Sequence, residues 1–322
     1  MRSDILPLKE VKQQIDNADS ITILSHLNPD TDALGTALGI YALFIPNKHQ
    51  KIEIVNASKT LPLYLDFLPN FKKIKHKMEY DNSLIIACDC GSIDRLGFDL
   101  EGREILNIDH HQSNTKYGTI NVVLPTYASS SQVAFLLFGA LCTMNADAAT
   151  CFYAALLSDT RYFTTASVNE EVFGVAKALV NLGAQPDVIA SYFTQRRSLS
   201  SLRILEKALA SLVLKHEAQI AVLKVNKEDI DATGATIPDM EGIVDYARSL
   251  VTVEIAVFAM ELDEGIRISM RSKKADVSKV ALALGGGGHK VAAGFMLTQY
   301  TLQESIDIIL EKIEELGLID EK

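Results

Sequence analysis

The sequence predicts an α/β protein in two parts, a parallel-sheet domain followed by a smaller α/β domain. Three observations carry that expectation. The chain has 322 residues, enough for two domains of ordinary size. Over its first half, short apolar runs alternate with helical segments, the pattern of a sheet whose strands are joined by crossover helices. Several of those runs end directly in histidine or aspartate, at the carboxyl ends of strands where open α/β sheets bind their ligands.

The elements follow in order. Val11–Ala18 reads as a short amphipathic helix. Ile21-Thr22-Ile23-Leu24 reads as a buried strand, and it runs into Ser25-His26-Leu27-Asn28-Pro29-Asp30-Thr31-Asp32. Asn28-Pro29 is a turn signal, and Asp32 can cap the apolar helix Ala33–Phe44. Lys51–Val55 is a second strand, and Leu63–Leu68 a short helix before the basic patch Lys72–Lys77. Ser83–Cys88 is a third strand ending at Asp89, and Glu104–Ile108 a fourth ending at Asp109-His110-His111. Helices are predicted over Ser130–Thr143, Ala146–Ser158 and Asn169–Leu182. The second of these ends at Asp159, where the helix dipole disfavours negative charge unless a cation stands nearby.

Gln185-Pro186 opens a polar, partly helical stretch with helices over Pro186–Phe193 and Leu199–Leu214. The expected organisation is a domain over residues 1–185, a helical linker over 186–215 and a second domain over 216–322. In the latter, Gln219–Val225 reads as a strand, Met240–Ser249 as a helix, and Thr252–Met260 and Gly265–Arg271 as strands joined by Asp263-Glu264-Gly265. Val277–Leu284 is a helix running into Gly285-Gly286-Gly287-Gly288-His289. Phe295–Leu297 is a short strand, and Leu302–Leu316 a terminal amphipathic helix.

Composition narrows the function. Hydrophobic residues make up 48% of the chain and the formal net charge is -10. An acidic chain lacks the footprint of a nonspecific binder of long duplex nucleic acid. Cys88 and Cys90 are too close for an ordinary disulfide, and with Cys142 and Cys151 they read as small buried residues of a reducing compartment. Met1-Arg2-Ser3-Asp4 is not followed by a signal-peptide apolar core, and no apolar run reaches the roughly 18 residues of a membrane span. The expectation is a cytoplasmic protein without a membrane partner.

The chemistry gathers on the sheet edge. His26, Asp30, Asp32, Asp89, Asp109, His110, His111 and Asp159 are candidate site residues. Carboxylates packed together repel and raise one another's pKa. A pair of divalent cations removes that cost, and two such ions can clamp a displacement at phosphorus and activate water. Asp89 is the best placed bridge between them.

These motifs, His26-Leu27-Asn28-Pro29-Asp30-Thr31-Asp32, Asp89, Asp109-His110-His111 and Ser158-Asp159-Thr160, resemble the four successive motifs of the DHH phosphoesterase superfamily. The segment Gly285-Gly286-Gly287-Gly288-His289, continuing to Ala292-Ala293-Gly294-Phe295, is similar to the glycine-rich signature of the DHH-associated C-terminal domain, type 1. The resemblance implies a Rossmann-like catalytic domain, a substrate-binding second domain and an active site in the cleft between them. It implies hydrolysis by two divalent metals, most readily Mn2+. His26 and Asp30 would bind one metal, Asp32, His110 and Asp159 the other, and Asp89 both. Asp109 would orient a histidine, and His111 would face the phosphate. Arg271, Gly286, Gly287, Gly288 and His289 would bind the substrate, glycine amides in a nest being one way to hold an anion.

Within the superfamily the chain looks like the nanoRNase and pAp-phosphatase branch. That branch implies short RNA or linear dinucleotides as substrates, 5′-mononucleotides as products, and pAp as a further or main substrate. Family II pyrophosphatases lack the glycine run. A non-catalytic nucleotide sensor would not need both metals. A homodimer is compatible with all of these readings.

Overall fold

The computed structural model describes residues 6–46 and 49–319; Met1-Arg2-Ser3-Asp4, read above for a leader, lie outside them. Two compact units emerge, Met1–Arg196 and Arg197–Lys322. The stretch expected as a linker is divided between them.

In the first unit, α1 (Leu8–Asp16) leads into β1 (Ser20–Ser25), α2 (Thr31–Phe44) and β2 (Lys51–Val55). β3 (Leu84–Cys88), β4 (Ile105–Asp109) and β5 (Ile120–Val123) complete a sheet in the order β2-β1-β3-β4-β5. Every pairing is parallel, with Ile21 beside both Ile52 and Leu84, and Ile85 beside Ile105. Parallel strands are buried on both faces, and the side chains alternate accordingly. Ile21, Ile23, Ile54, Leu84, Ile86, Leu106 and Ile108 share one core with helices α2, α3 (Ser130–Gly139) and α4 (Ala146–Asp159). Leu24, Val55, Ile85, Ala87 and Ile105 face the other way, against Leu96 and Leu100. α5 (Glu170–Asn181) and α6 (Pro186–Thr194) close the unit.

α2 is buried on almost every side, which is why its sequence is apolar all round rather than striped. It meets α4 at very short range. A Cβ built on Gly35 would lie 2.8 Å from both the Cys151 carbonyl oxygen and Ala155 Cβ, and one on Gly39 would enter the Phe152 ring. These two glycines let α2 and α4 approach, and both helices carry candidate ligands.

The second unit begins with α7 (Leu199–Ala210), β6 (Val213–Lys215), β7 (Ile220–Val225) and α8 (Lys227–Thr233). It continues through α9 (Ile243–Arg248), β8 (Ile255–Leu262), β9 (Gly265–Ser272), α10 (Ser278–Ala283), β10 (Gly287–His289), β11 (Ala292–Leu297) and α11 (Leu302–Glu315). Its mixed sheet runs β10-β11-β9-β8-β7-β6, and only β7–β8 is parallel. Ile220, Val257, Ile268 and Met270 pack towards Val280, Ile306 and Ile309, while Leu223, Phe258 and Met260 pack towards Ile204 and Val244.

The α/β class and the two-part division agree with expectation, but several elements do not. The helix expected over Leu199–Leu214 stops at Ala210. There the Ser211 hydroxyl accepts from Lys224 N–H and donates to Lys224 O, and Val213–Lys215 then pairs with β7 as a strand. Leu63–Leu68 contains one helical turn, Leu63–Leu65. Met240–Ser249 is broken at Gly242, which sits at φ 77 between the turn Ile237–Met240 and α9. Ser130–Thr143 is helical only to Gly139. β5 and α8 were not anticipated. The glycine run is an edge strand in part: Gly287, Gly288 and His289 pair with Gly294, Ala293 and Ala292. Asp30, not Asp32, caps α2, accepting from Ala33 N–H at 3.0 Å. Among the described residues no helix is long and apolar enough to cross a membrane, and all four cysteines are free.

Candidate metal centre

The first-unit candidates meet where β1, β3 and β4 end. His26 follows β1 directly. Its Nδ1 lies 2.8 Å from Leu27 O, and its Nε2 lies 3.9 Å from Asp30 Oδ1 and 3.8 Å from Asp89 Oδ2. Asp89 follows β3 in the left-handed region at φ 54, a conformation that aspartate and asparagine tolerate better than most side chains. Its other oxygen, Oδ1, lies 3.7 Å from His110 Nε2. Asp32 Oδ2 and Asp159 Oδ2 complete that side at 3.9 and 3.5 Å from the same nitrogen. His110 Nδ1 lies 3.2 Å from Tyr127 O. In both His26 and His110, a backbone carbonyl takes one ring nitrogen and the carboxylates surround the other, the arrangement by which proteins set the tautomer of a metal-binding histidine.

Three groups of side chains stand close enough to hold an ion: His26, Asp30 and Asp89; Asp32, His110 and Asp159; and Asp89, His110 and His111. Asp89 belongs to groups on both sides. Histidines stand within 4.0 Å of Asp32, Asp89 and Asp159. Burial, and after it the charge of neighbouring groups, pushes all three of these carboxylates up to about 7. A crowd of buried oxygen donors with imidazole nitrogens fits divalent metal ions.

Asp109, the last residue of β4, is wholly buried. Its Oδ1 accepts from the N–H groups of His110 at 2.8 Å and His111 at 3.2 Å, and lies 2.7 Å from His111 Nδ1. Its Oδ2 accepts from Asn114 Nδ2 at 2.5 Å. Burial, the largest single influence, would raise its pKa, but the bond and charge of His111, the Asn114 amide and the His111 N–H together outweigh it and hold Asp109 below the usual carboxylate range. The bond between the two side chains raises His111 to about 9. The oxygens of Asp109 are thus taken up by His110, His111 and Asn114, and it stands outside all three candidate groups.

Several contributors were not singled out from sequence. The N–H groups of Ser130 and Ser131, at the start of α3, donate to Asp32 at 2.6 and 3.1 Å, so a helix N-terminus holds this carboxylate. Ser130 Oγ donates to Asp89 at 2.7 Å. Ser129-Ser130-Ser131 before an apolar helix is a capping signature, and Ser129 does accept from Gln132 N–H; the signature announces the helix end and not the carboxylates it meets. Asn114, which donates to Asp109, carries no local signal at all.

In the second unit, Arg271, Gly287, Gly288 and His289 line one groove of about 660 Å³ with Arg267 and Ser269. Gly286 is not part of its lining; a Cβ there would lie 2.3 Å from Phe295 Cβ, so packing requires this glycine.

Residues 20–156 match the DHH family, N-terminal domain, and residues 217–316 match the DHHA1 domain. The chain is similar to the bifunctional oligoribonuclease and PAP phosphatase NrnA of Thermus thermophilus, 29% identical over 92% of this chain and 89% of that protein. The protein of the same name from Bacillus subtilis is 25% identical over 95% and 97%. A solved structure, an exopolyphosphatase-related protein from Bacteroides fragilis, superimposes with a TM-score of 0.88 at 25% identity, covering 96% of this chain and 95% of that one.

Proposed function

We propose, for a chain that belongs to the DHH family and carries a DHHA1 domain behind it, that it is a two-metal phosphodiesterase. Its substrates are short oligoribonucleotides and linear dinucleotides of the pApA or pGpG type, cut to 5′-mononucleotides, with phosphate removal from pAp as a second activity. One observation carries the two-metal part: Asp89 presents one carboxylate oxygen to His26 and the other to His110. The substrate class is supported by the relatives, which are named for both oligoribonuclease and PAP phosphatase activity.

His26 and Asp30 would hold one ion, Asp32, His110 and Asp159 the other, and Asp89 would serve both. Manganese is the ion that the family resemblance favours, and the carboxylate oxygens of the set suit it. When bound, the two ions supply positive charge to the phosphoryl oxygens and lower the pKa of an attacking water. The protein's own part is positional. Asp109 fixes His111, a donor for a phosphate oxygen, in one orientation. The start of α3 fixes Asp32 and, through the Ser130 hydroxyl, Asp89. In the second unit, Arg271, the glycine strand and His289 line a groove suited to a phosphate or base, a guanidinium fork being well matched to phosphate.

The deciding experiment is product analysis with manganese on pApA, pGpG, a five-nucleotide RNA and pAp in parallel. Mononucleotides from the first three are expected, with slower phosphate release from pAp. Turnover of pAp alone would leave a phosphatase, and no turnover despite nucleotide binding would leave a sensor.

A further inference from the structure

Arg95 lies in the single-turn helix Ile93–Leu96, in the segment that leaves Asp89. Its backbone carbonyl accepts from Leu27 N–H at 2.7 Å, which ties this turn to the loop after β1. Its guanidinium Nη2 lies 3.4 Å from His26 Nδ1. The residue is exposed, and among the described residues no carboxylate pairs with it.

His26 Nδ1 cannot satisfy both of its neighbours. To bond Leu27 O at 2.8 Å, it must carry the ring proton. Nε2, facing Asp30 and Asp89, is then the nitrogen with the lone pair, which is the tautomer a metal ligand requires. In that tautomer the guanidinium and Nδ1–H meet donor to donor, and the 3.4 Å approach is no hydrogen bond. The opposite tautomer would suit Arg95, but it would break the Leu27 bond and put a proton where the cation belongs. The metal-binding state therefore leaves a charged fork of N–H donors beside the first ligand, facing no acceptor on that ring.

We propose that Arg95 is a substrate-binding residue that grips a non-bridging oxygen of the phosphate at the centre, on the His26 side. The inference rests on the phosphoesterase reading above. A planar guanidinium matches phosphate geometry where a lysine offers only a point charge. The loop tether uses the Arg95 backbone, so removing the side chain spares it.

The test compares full-length wild type, Arg95→Ala and Arg95→Lys. Calorimetry measures binding of Mn2+, and then of inorganic phosphate to the manganese-loaded protein, and thermal unfolding is followed alongside. Arg95→Ala should bind Mn2+ and unfold as the wild type does, yet bind phosphate about 10–100-fold more weakly, the range expected for a lost charged hydrogen bond. Arg95→Lys should fall between them, and added guanidinium chloride at millimolar concentration should restore part of the phosphate affinity to Arg95→Ala. Unchanged phosphate affinity overturns the proposal. So does a parallel loss of Mn2+ affinity and phosphate affinity, which would make Arg95 a positioning residue for His26. Because phosphate binding is read separately from oligonucleotide cleavage, a wrong substrate class and a wrong role for Arg95 give different results.

Discussion

Asp89 and Asp109 are both buried carboxylates at strand ends, and their hydrogen bonds separate their roles. Asp109 spends its oxygens on backbone N–H groups, His111 and Asn114. Asp89 accepts the Ser130 hydroxyl and turns both oxygens towards histidines. Asp89→Asn is the sharper test of the bridge. Asparagine tolerates the left-handed backbone at φ 54, so the fold is retained while the charge is lost. Turnover should fall to background on every substrate, and manganese-dependent activity within tenfold of wild type would refute the bridging role. Asn114→Ala removes a donor from Asp109 without touching a ligand. It should weaken manganese affinity or turnover by about 10–100-fold, the usual effect of losing an outer partner of a metal site, as read by manganese titration and steady-state kinetics.

At the scale of elements, the site depends on how closely α2 approaches α4, because Asp32 begins one helix and Asp159 ends the other. Gly35→Ala would set a methyl group 2.8 Å from the Cys151 carbonyl oxygen, and backbone cannot swing aside. Overpacking of this kind costs about 1–3 kcal/mol. Denaturant unfolding should show the loss, and manganese affinity should fall with it, because the displaced helices carry Asp32 and Asp159 away from His110. An unchanged metal affinity would mean that the loops, not the helix pair, set the ligand spacing. The same helix pair shows what a single sequence exposes. β1, β3 and β4 were legible because each is a buried apolar run that stops at a polar residue, and their order along the chain already put His26, Asp89 and His110 on one edge. β5 and β6 were not, since short strands at a sheet edge owe their pairing to a neighbour far along the chain. α8 hides in a polar segment whose capping box, Asn226 with Asp229, is its one clear local mark. The exchange of roles between Asp30 and Asp32 was illegible for a related reason. Either could cap α2, and the choice was made by the start of α3, which takes Asp32 through the N–H groups of Ser130 and Ser131.

For the molecule as a whole, the centre makes stability depend on protons and metal together. Asp32, Asp89 and Asp159 are raised to about 7, by burial first and by neighbouring charge after it, whereas unperturbed aspartate titrates near 3.8. Between those values the folded, metal-free chain holds protons that the unfolded chain has already released. His111, raised to about 9 by its bond to Asp109, extends the same imbalance upward. Burial pulls His110 down, but the charges of Asp32, Asp89 and Asp159 outweigh it, and its shift is upward too. His26 opposes them, its pKa lowered by burial, and the lowered Asp109 acts only at still lower pH. A folded state that binds more protons than the unfolded state loses stability as pH rises. The metal-free first unit should therefore become less stable from about pH 4 to pH 9, and manganese, by replacing those protons with its own charge, should reverse the trend. Thermal unfolding of chelator-treated and manganese-loaded protein at pH 5, 6.5 and 8 measures this directly: the gain from metal should be smallest at pH 5 and largest at pH 8. The Asp89→Asn protein separates the centre from the net negative charge of the chain, since it lacks one of the raised carboxylates, and its metal-free stability should fall less steeply across that range. An equal slope in the two proteins would place the pH dependence in the net charge of the chain and not in the centre.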